Sequence, residues 1–163
     1  MAGRRALVTG ASSGIGAATA RLLAAEGYRV ALLARRRERL DALCEELKGG
    51  PHLVLSCDLT QPAEIEVAFA ALGEAFGGLD LLVNNAGMGY RARVEELDPE
   101  LLDQVFGANV RGLLLALRAA LPLLREGSRP VVVNLSSVVG RRGVPGQAAY
   151  CASKAAVTSI GES

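Results

Sequence analysis

Apolar and polar positions fall into two rhythms along this chain. Runs of mostly branched apolar residues at 6–9, 30–34, 53–57, 79–84 and 131–135 have the length of buried strands. Between the first four lie helix-like stretches at 17–26, 38–48 and 62–76, the second with Leu40, Leu43, Cys44 and Leu47 at helical spacing. Gly27 is suited to cap the first of these helices, and Gly49-Gly50-Pro51 stops the second. Asp98-Pro99-Glu100 offers an N-cap acceptor, a proline for the first helical position and an acid in the first turn, so a helix begins there. It runs to about residue 125, with Gly107 and Gly112 as points where it can bend. A loop bearing Gly140, Gly143, Pro145 and Gly146 precedes a last helix from about Gln147. Strand and helix in alternation predict an α/β fold of βα units on a parallel sheet.

Composition supports a packed core. Half of the 163 residues are hydrophobic, and 18 Lys+Arg stand against 17 Asp+Glu, a net charge of +1. That balance excludes a disordered tail and gives no electrostatic reason for a nucleic-acid partner. Length, with no repeat or linker, predicts one domain. Cys44, Cys57 and Cys151 are odd in number and widely spaced, which suits a reducing cytoplasm and neither a disulfide framework nor a zinc site. The N-terminal Met1-Ala2-Gly3-Arg4-Arg5 is followed by too short an apolar stretch for a signal peptide. The longest apolar tract, 112–124, is interrupted by Arg118 and Pro122 and is shorter than the ~20 residues of a membrane span, so no membrane is expected.

The first strand runs through Thr9 into Gly10-Ala11-Ser12-Ser13-Gly14-Ile15-Gly16 and then into a helix. Such a turn gathers backbone N–H groups and the positive helix end at one point, where a pyrophosphate can sit. The spacing is GxxxGxG, not the commoner GxGxxG, so the strand–turn–helix context carries the argument; a plain turn with glycines for packing is the alternative. About twenty residues on, where an acid would take a ribose 2′-hydroxyl, the chain has Ala34-Arg35-Arg36-Arg37. Basic residues ahead of a helix oppose its dipole. A 2′-phosphate would neutralise them and points to NADP(H) over NAD(H); a solvated patch paired with Glu38, Asp41 and Glu45 is the bland alternative.

Asp58 and Leu59, after the third strand, and Asn84-Asn85-Ala86-Gly87, after the fourth, lie on the carboxyl edge where such sheets bind ligands. Asp58 can accept from an adenine amino group or simply shape a turn, and Gly87 lets backbone approach a cofactor. Tyr150 and Lys154, four residues apart in the last helix, share a face. An ammonium there lowers the phenol's pKa from about 10 and makes Tyr150 a usable proton donor or acceptor. The same pair also occurs on ordinary helices. Ser136-Ser137 offers a hydroxyl for a substrate oxygen, or forms a turn. His52 reads as a solvent-edge residue and Cys151 as packing.

These residues together resemble the short-chain dehydrogenase/reductase family. Residues 9–16 are similar to its TGxxxGxG turn, Asn84-Asn85-Ala86-Gly87 to its NNAG motif and Asn109 to its helix asparagine. Ser137 is similar to its substrate serine and Tyr150-Cys151-Ala152-Ser153-Lys154 to its YxxxK. The resemblance implies a Rossmann-like doubly wound sheet and reversible hydride transfer between NADP(H), with NAD(H) as the alternative, and a small-molecule carbonyl/alcohol pair. It implies Tyr150 as proton donor and acceptor, Ser137 polarising the substrate oxygen, Lys154 lowering the tyrosine pKa and holding the nicotinamide ribose, and Asn109 supporting a water-linked proton path. The cofactor contacts it implies are Gly10, Ser12, Ser13, Gly14, Ile15 and Gly16 at the turn, and Arg35 and Arg36 at the 2′-phosphate. Asp58, Leu59, Asn85, Ala86 and Gly87 follow along the carboxyl edge, then Tyr150 with Lys154. Ser13 stands where many NADP-using members carry a basic residue.

The family commonly pairs subunits through the helices after the fourth and fifth strands, so a homo-oligomer is expected, with the apolar run 113–117 on that face. The family's fold continues past the YxxxK helix with further strands and a substrate lid. This chain ends at Ser163 and is expected to be truncated after that helix, leaving an open edge on the fifth strand. A non-catalytic nucleotide-binding or interaction module is the alternative for a chain of this length.

Overall fold

The computed structural model describes residues 3–163; residues 1–2, the start of the N-terminal stretch expected not to be a signal peptide, lie outside them. Five parallel strands form one sheet in the order β3-β2-β1-β4-β5. They are β1 (Arg5–Thr9), β2 (Arg29–Ala34), β3 (Leu53–Ser56), β4 (Leu81–Asn84) and β5 (Val131–Asn134). The α-helices are α1 (Gly14–Ala25), α2 (Arg37–Glu46), α3 (Pro62–Phe76), α4 (Pro99–Phe106), α5 (Leu113–Arg125) and α6 (Ala148–Glu162).

Side chains alternate across each strand, so the sheet presents two apolar faces. Leu7, Leu33, Leu55 and Leu82 pack against Ile65, Leu72, Ala116 and Ala120 of α3 and α5. Val8, Leu32 and Val83 face Ala17, Ala20, Leu40 and Leu43 of α1 and α2. Cover on both faces is what a parallel sheet requires, and the result is a Rossmann-like doubly wound sheet. Its strand order reverses between β1 and β4, the place where such sheets hold ligands beyond their carboxyl ends.

Helix α1 starts at Gly14, three residues before the predicted position, because glycines that lower helix propensity are nevertheless built into its first turn. Strand β4 starts at Leu81 and not 79: the Leu79 N–H turns away to Leu123 O at 2.8 Å. The long helix after Asp98 is one continuous rod with a π segment, Gly107–Gly112, between α4 and α5, so the expected bend is a widened turn. Gly112 is buried there, and a Cβ on it would stand 2.8 Å from Leu59 O. The rod, Pro99–Arg125, is long and apolar enough to cross a membrane by length and composition, unlike the shorter tract considered above. Ala116, Ala120 and Leu124 are buried against the sheet. The run 113–117 does not form one outward face: Leu113 and Ala116 are buried and Leu114 is exposed. Strand β5 is an edge strand, with Val131, Val132 and Val133 exposed.

At the amino ends of the strands, the Asp80 carboxylate collects four donors. Its Oδ2 accepts from the Arg5 backbone N–H (2.7 Å) and Nε (3.0 Å), and its Oδ1 from Arg5 Nη2 (3.1 Å) and the Ser128 N–H (2.7 Å). The Arg5 guanidinium, followed by the backbone donors, holds the Asp80 carboxyl at about 2, below its ordinary 3.8. His52 is half-buried rather than a bystander at the solvent edge: its Nδ1 accepts from the Val30 N–H at 3.1 Å.

Candidate active site

The glycine turn is built by close approach between the ends of β1 and β4. Gly10 takes φ +67°, and a Cβ on the buried Gly16 would collide with Gly10 O and Asn85 Nδ2, so both positions require glycine. Thr9 Oγ1 accepts from the Asn85 and Ala86 N–H groups, each at 3.0 Å, and Asn85 Nδ2 donates to Thr9 O at 2.9 Å. Ser13, at the N-cap of α1, makes no side-chain cap bond. The first-turn N–H groups of α1 are thus left to another acceptor, the arrangement suited to an anion.

Arg36 Nη2 donates to Ser12 Oγ at 2.9 Å and Ser13 Oγ at 3.0 Å, which ties the end of β2 to the glycine turn. Arg35 lies loosely opposite Asp58, with 3.8 Å from Nη1 to Oδ2. Of the acids considered as partners for this patch, only Asp41 pairs, and with Arg37. Asp58 Oδ1 shapes a turn by accepting from Thr60 N and Thr60 Oγ1, both at 2.9 Å. Gly10, Ser12, Ser13, Ile15, Arg35, Arg36, Asp58, Leu59, Asn85, Ala86 and Gly87 line a single cavity of about 510 Å³, together with Met88, Gln104 and Ala108. Gly14 and Gly16 stand behind it in the first turn of α1.

At the β5 side, Lys154 is buried and its Nζ donates to Leu135 O at 2.7 Å, 5.9 Å from the centre of the Tyr150 ring. Burial pushes the Lys154 ammonium below its ordinary pKa. Ser137 is half-buried at the end of β5, and its Oγ accepts weakly from the Val139 N–H. Asn109, in the π segment, is fully engaged. Its Nδ2 donates to Met88 O (2.9 Å) and Ser153 Oγ (3.0 Å), and its Oδ1 accepts from the Met88 N–H (2.8 Å). Both amide N–H groups are therefore committed, leaving none for a water. A Cβ on Gly87 would stand 2.9 Å from Asn109 Oδ1 and 3.7 Å from Lys154 Nζ, so the glycine keeps open the space between them.

The arginines follow β2 and the Tyr150–Lys154 pair stands beside β5, with β1 and β4 between. Three strand spacings separate these ends by about 14 Å, a span suited to an elongated ligand lying across the carboxyl edge. Sequence reasoning missed Thr9, Ser153 and the Asn84–Asn134 pair, in which Asn84 Nδ2 donates to Asn134 Oδ1 at 2.9 Å. The signal for the last was available: both asparagines end apolar strands, and they sit opposite each other in the parallel register. Asn84 Oδ1 is buried without a partner among the described residues.

A model of the short chain dehydrogenase family matches residues 4–163, so this chain belongs to that family. It is similar to an uncharacterized oxidoreductase of Staphylococcus saprophyticus, 35% identical over 96% of this chain and 63% of the relative. Among solved structures, it resembles an actinorhodin polyketide ketoreductase with NADPH, with TM-score 0.91, 38% identity, and coverage of 97% of this chain and 62% of that one. It also resembles an alcohol dehydrogenase from Thermococcus sibiricus complexed with 5-hydroxy-NADP, with TM-score 0.92, 34% identity, and coverage of 96% and 68%. The chain thus spans about two thirds of the length of the proteins it matches.

Proposed function

We propose that this chain is the nucleotide-binding and proton-transfer unit of an NADP(H)-dependent oxidoreductase that interconverts a carbonyl and a secondary alcohol on a small molecule. The observation that carries this reading is the buried Lys154 ammonium held 5.9 Å from the Tyr150 ring, against the segment that leads from β5 to Ser137. The residues present fit a dinucleotide: the uncapped first turn of α1 takes the pyrophosphate, and Arg35 and Arg36 take a 2′-phosphate. The NADP-type ligands named for two similar solved structures favour the same choice; NAD(H) would leave both arginines without that partner.

When bound, the cofactor supplies or accepts the hydride. In the reducing direction Tyr150 gives its phenolic proton to the carbonyl oxygen, while Ser137 Oγ donates a hydrogen bond that polarises the same oxygen. Lys154 favours the phenolate that remains, and its low-dielectric seat strengthens that effect. In the oxidising direction Tyr150 takes the alcohol proton back. Asn109 braces the loop after β4 against α6, through Met88 and Ser153. The unit acts in the cytoplasm, and copies pair through the exposed Phe106, Leu114 and Leu121 of α4 and α5.

The test follows NADPH absorbance over a panel of ketones and aldehydes. Substrate-dependent loss of absorbance supports the reading; tight NADPH binding with no turnover of any carbonyl overturns it in favour of a binding module.

A further inference from the structure

Ser137 has a place in this chemistry, whereas its neighbour Ser136 has none, although both lie at the end of β5. Ser136 Oγ donates to Lys154 O at 2.8 Å and lies 2.7 Å from Thr158 Oγ1. A hydroxyl has one proton, so with that of Ser136 on Lys154 O, the 2.7 Å contact takes the proton of Thr158. The 3.2 Å contact from Thr158 Oγ1 to Lys154 O is the longer alternative for that proton. One residue earlier, Leu135 O accepts from Lys154 Nζ at 2.7 Å. Lys154 is therefore gripped at both ends, backbone carbonyl and ammonium, by the two residues that precede Ser137. Gly140 closes the clamp: a Cβ there would stand 2.8 Å from Lys154 C and O and 3.0 Å from Ser136 Oγ.

A lysine side chain is a point charge on a flexible stem, and its position is defined only if both ends are held. We propose that Ser136, steadied by Thr158, is a positioning residue: by tying the end of β5 to the Lys154 backbone it sets the distance between Ser137 and the Tyr150–Lys154 face of α6. This inference rests on the function proposed above for its kinetic meaning, while the clamp itself is a structural claim that can be tested without turnover. Among the described residues no carboxylate lies within ion-pair distance of Lys154, so its titration reports its seat and not an ionic partner.

The experiment compares the wild type with Ser136→Ala, Thr158→Val and Thr158→Ser. It uses two readouts: steady-state reduction of the best ketone with NADPH, and titration of the Lys154 Nζ by ¹⁵N NMR without cofactor. Ser136→Ala is expected to lower kcat by about 10- to 100-fold, with unchanged NADPH affinity, and to move the Lys154 titration upward as its seat loosens. Thr158→Val is expected to move both readouts in the same direction by less, and Thr158→Ser, which keeps the hydroxyl, to restore wild-type behaviour. Wild-type values of both readouts in Ser136→Ala, or in Thr158→Val if the first variant does not fold, overturn the clamp. A moved titration in a protein that turns over no carbonyl upholds the clamp and overturns the proposed function instead.

Discussion

The Lys154 ammonium and the Leu135 carbonyl are joined by a 2.7 Å hydrogen bond. That bond folds the lysine side chain back from α6 onto the segment that follows β5, with its charge 5.9 Å from the centre of the Tyr150 ring. Among the described residues no carboxylate lies within ion-pair distance of this ammonium.

Removing the phenolic hydroxyl tests the proton step directly. Tyr150→Phe is expected to reduce kcat by about 10²- to 10⁴-fold while NADPH affinity, followed by fluorescence titration, stays at the wild-type value. A variant with wild-type turnover would remove Tyr150 from the mechanism.

Arg35 is largely exposed, with Asp58 as its only ionic partner among the described residues, at 3.8 Å, so it is available to a 2′-phosphate. Arg35→Asp is expected to lower the ratio of kcat/KM for NADPH over NADH by about tenfold, or 1.4 kcal/mol, and the wild-type preference is expected to weaken as salt is added. An unchanged ratio would reduce the arginine to surface charge.

Gly16→Ala places a methyl group against Gly10 O and Asn85 Nδ2 at the junction of β1, α1 and β4. Overpacking of this kind costs about 1–3 kcal/mol, read as a lower urea midpoint, with weaker NADPH binding because the turn must shift. Full stability and affinity would show that the contact relaxes freely.

Asp80 couples the stability of the fold to pH. Its folded pKa of about 2 lies below its ordinary 3.8, so its contribution is fully present above 3.8 and is lost as pH falls toward 2. A shift of this size corresponds to about 2 kcal/mol. Asp80→Asn is expected to lower stability at neutral pH by about that amount or somewhat more, since Arg5 is left without its partner. The variant should also flatten the fall in urea midpoint between about pH 4 and 2. A wild-type slope in the variant would assign that fall to other carboxylates.

Much of this architecture was readable along the chain. Alternation of strand and helix gave the five strands of a parallel sheet but not their order in it, and Asp98-Pro99 marked the start of α4, where the Asp98 side chain accepts from the Glu100 and Leu101 N–H groups. The differences fall at glycines. Gly14, at φ +57°, and the closely packed Gly16 sit inside the first turn of α1, and Gly107 and Gly112 bound a π turn where a bend was expected. The outward face of α5 was misjudged because a run of apolar residues does not itself say which side meets the sheet; Leu113 and Ala116 do, and Leu114 does not.

Periodicity and turn chemistry are local, so residues a few positions apart were enough to specify the elements and to bring the candidate residues to one edge of the sheet. What each of those residues holds was decided by partners far away in the chain. Arg36 bonds Ser12 across 24 residues, Asn109 bonds Ser153 across 44, and Lys154 bonds Leu135 across 19. Such pairs meet only after the strands have stacked side by side, and a buried polar group takes the partner that packing brings to it. The tertiary structure therefore gave the Asn109 side chain its partners in Met88 and Ser153, and gave Ser136 a hold on Lys154.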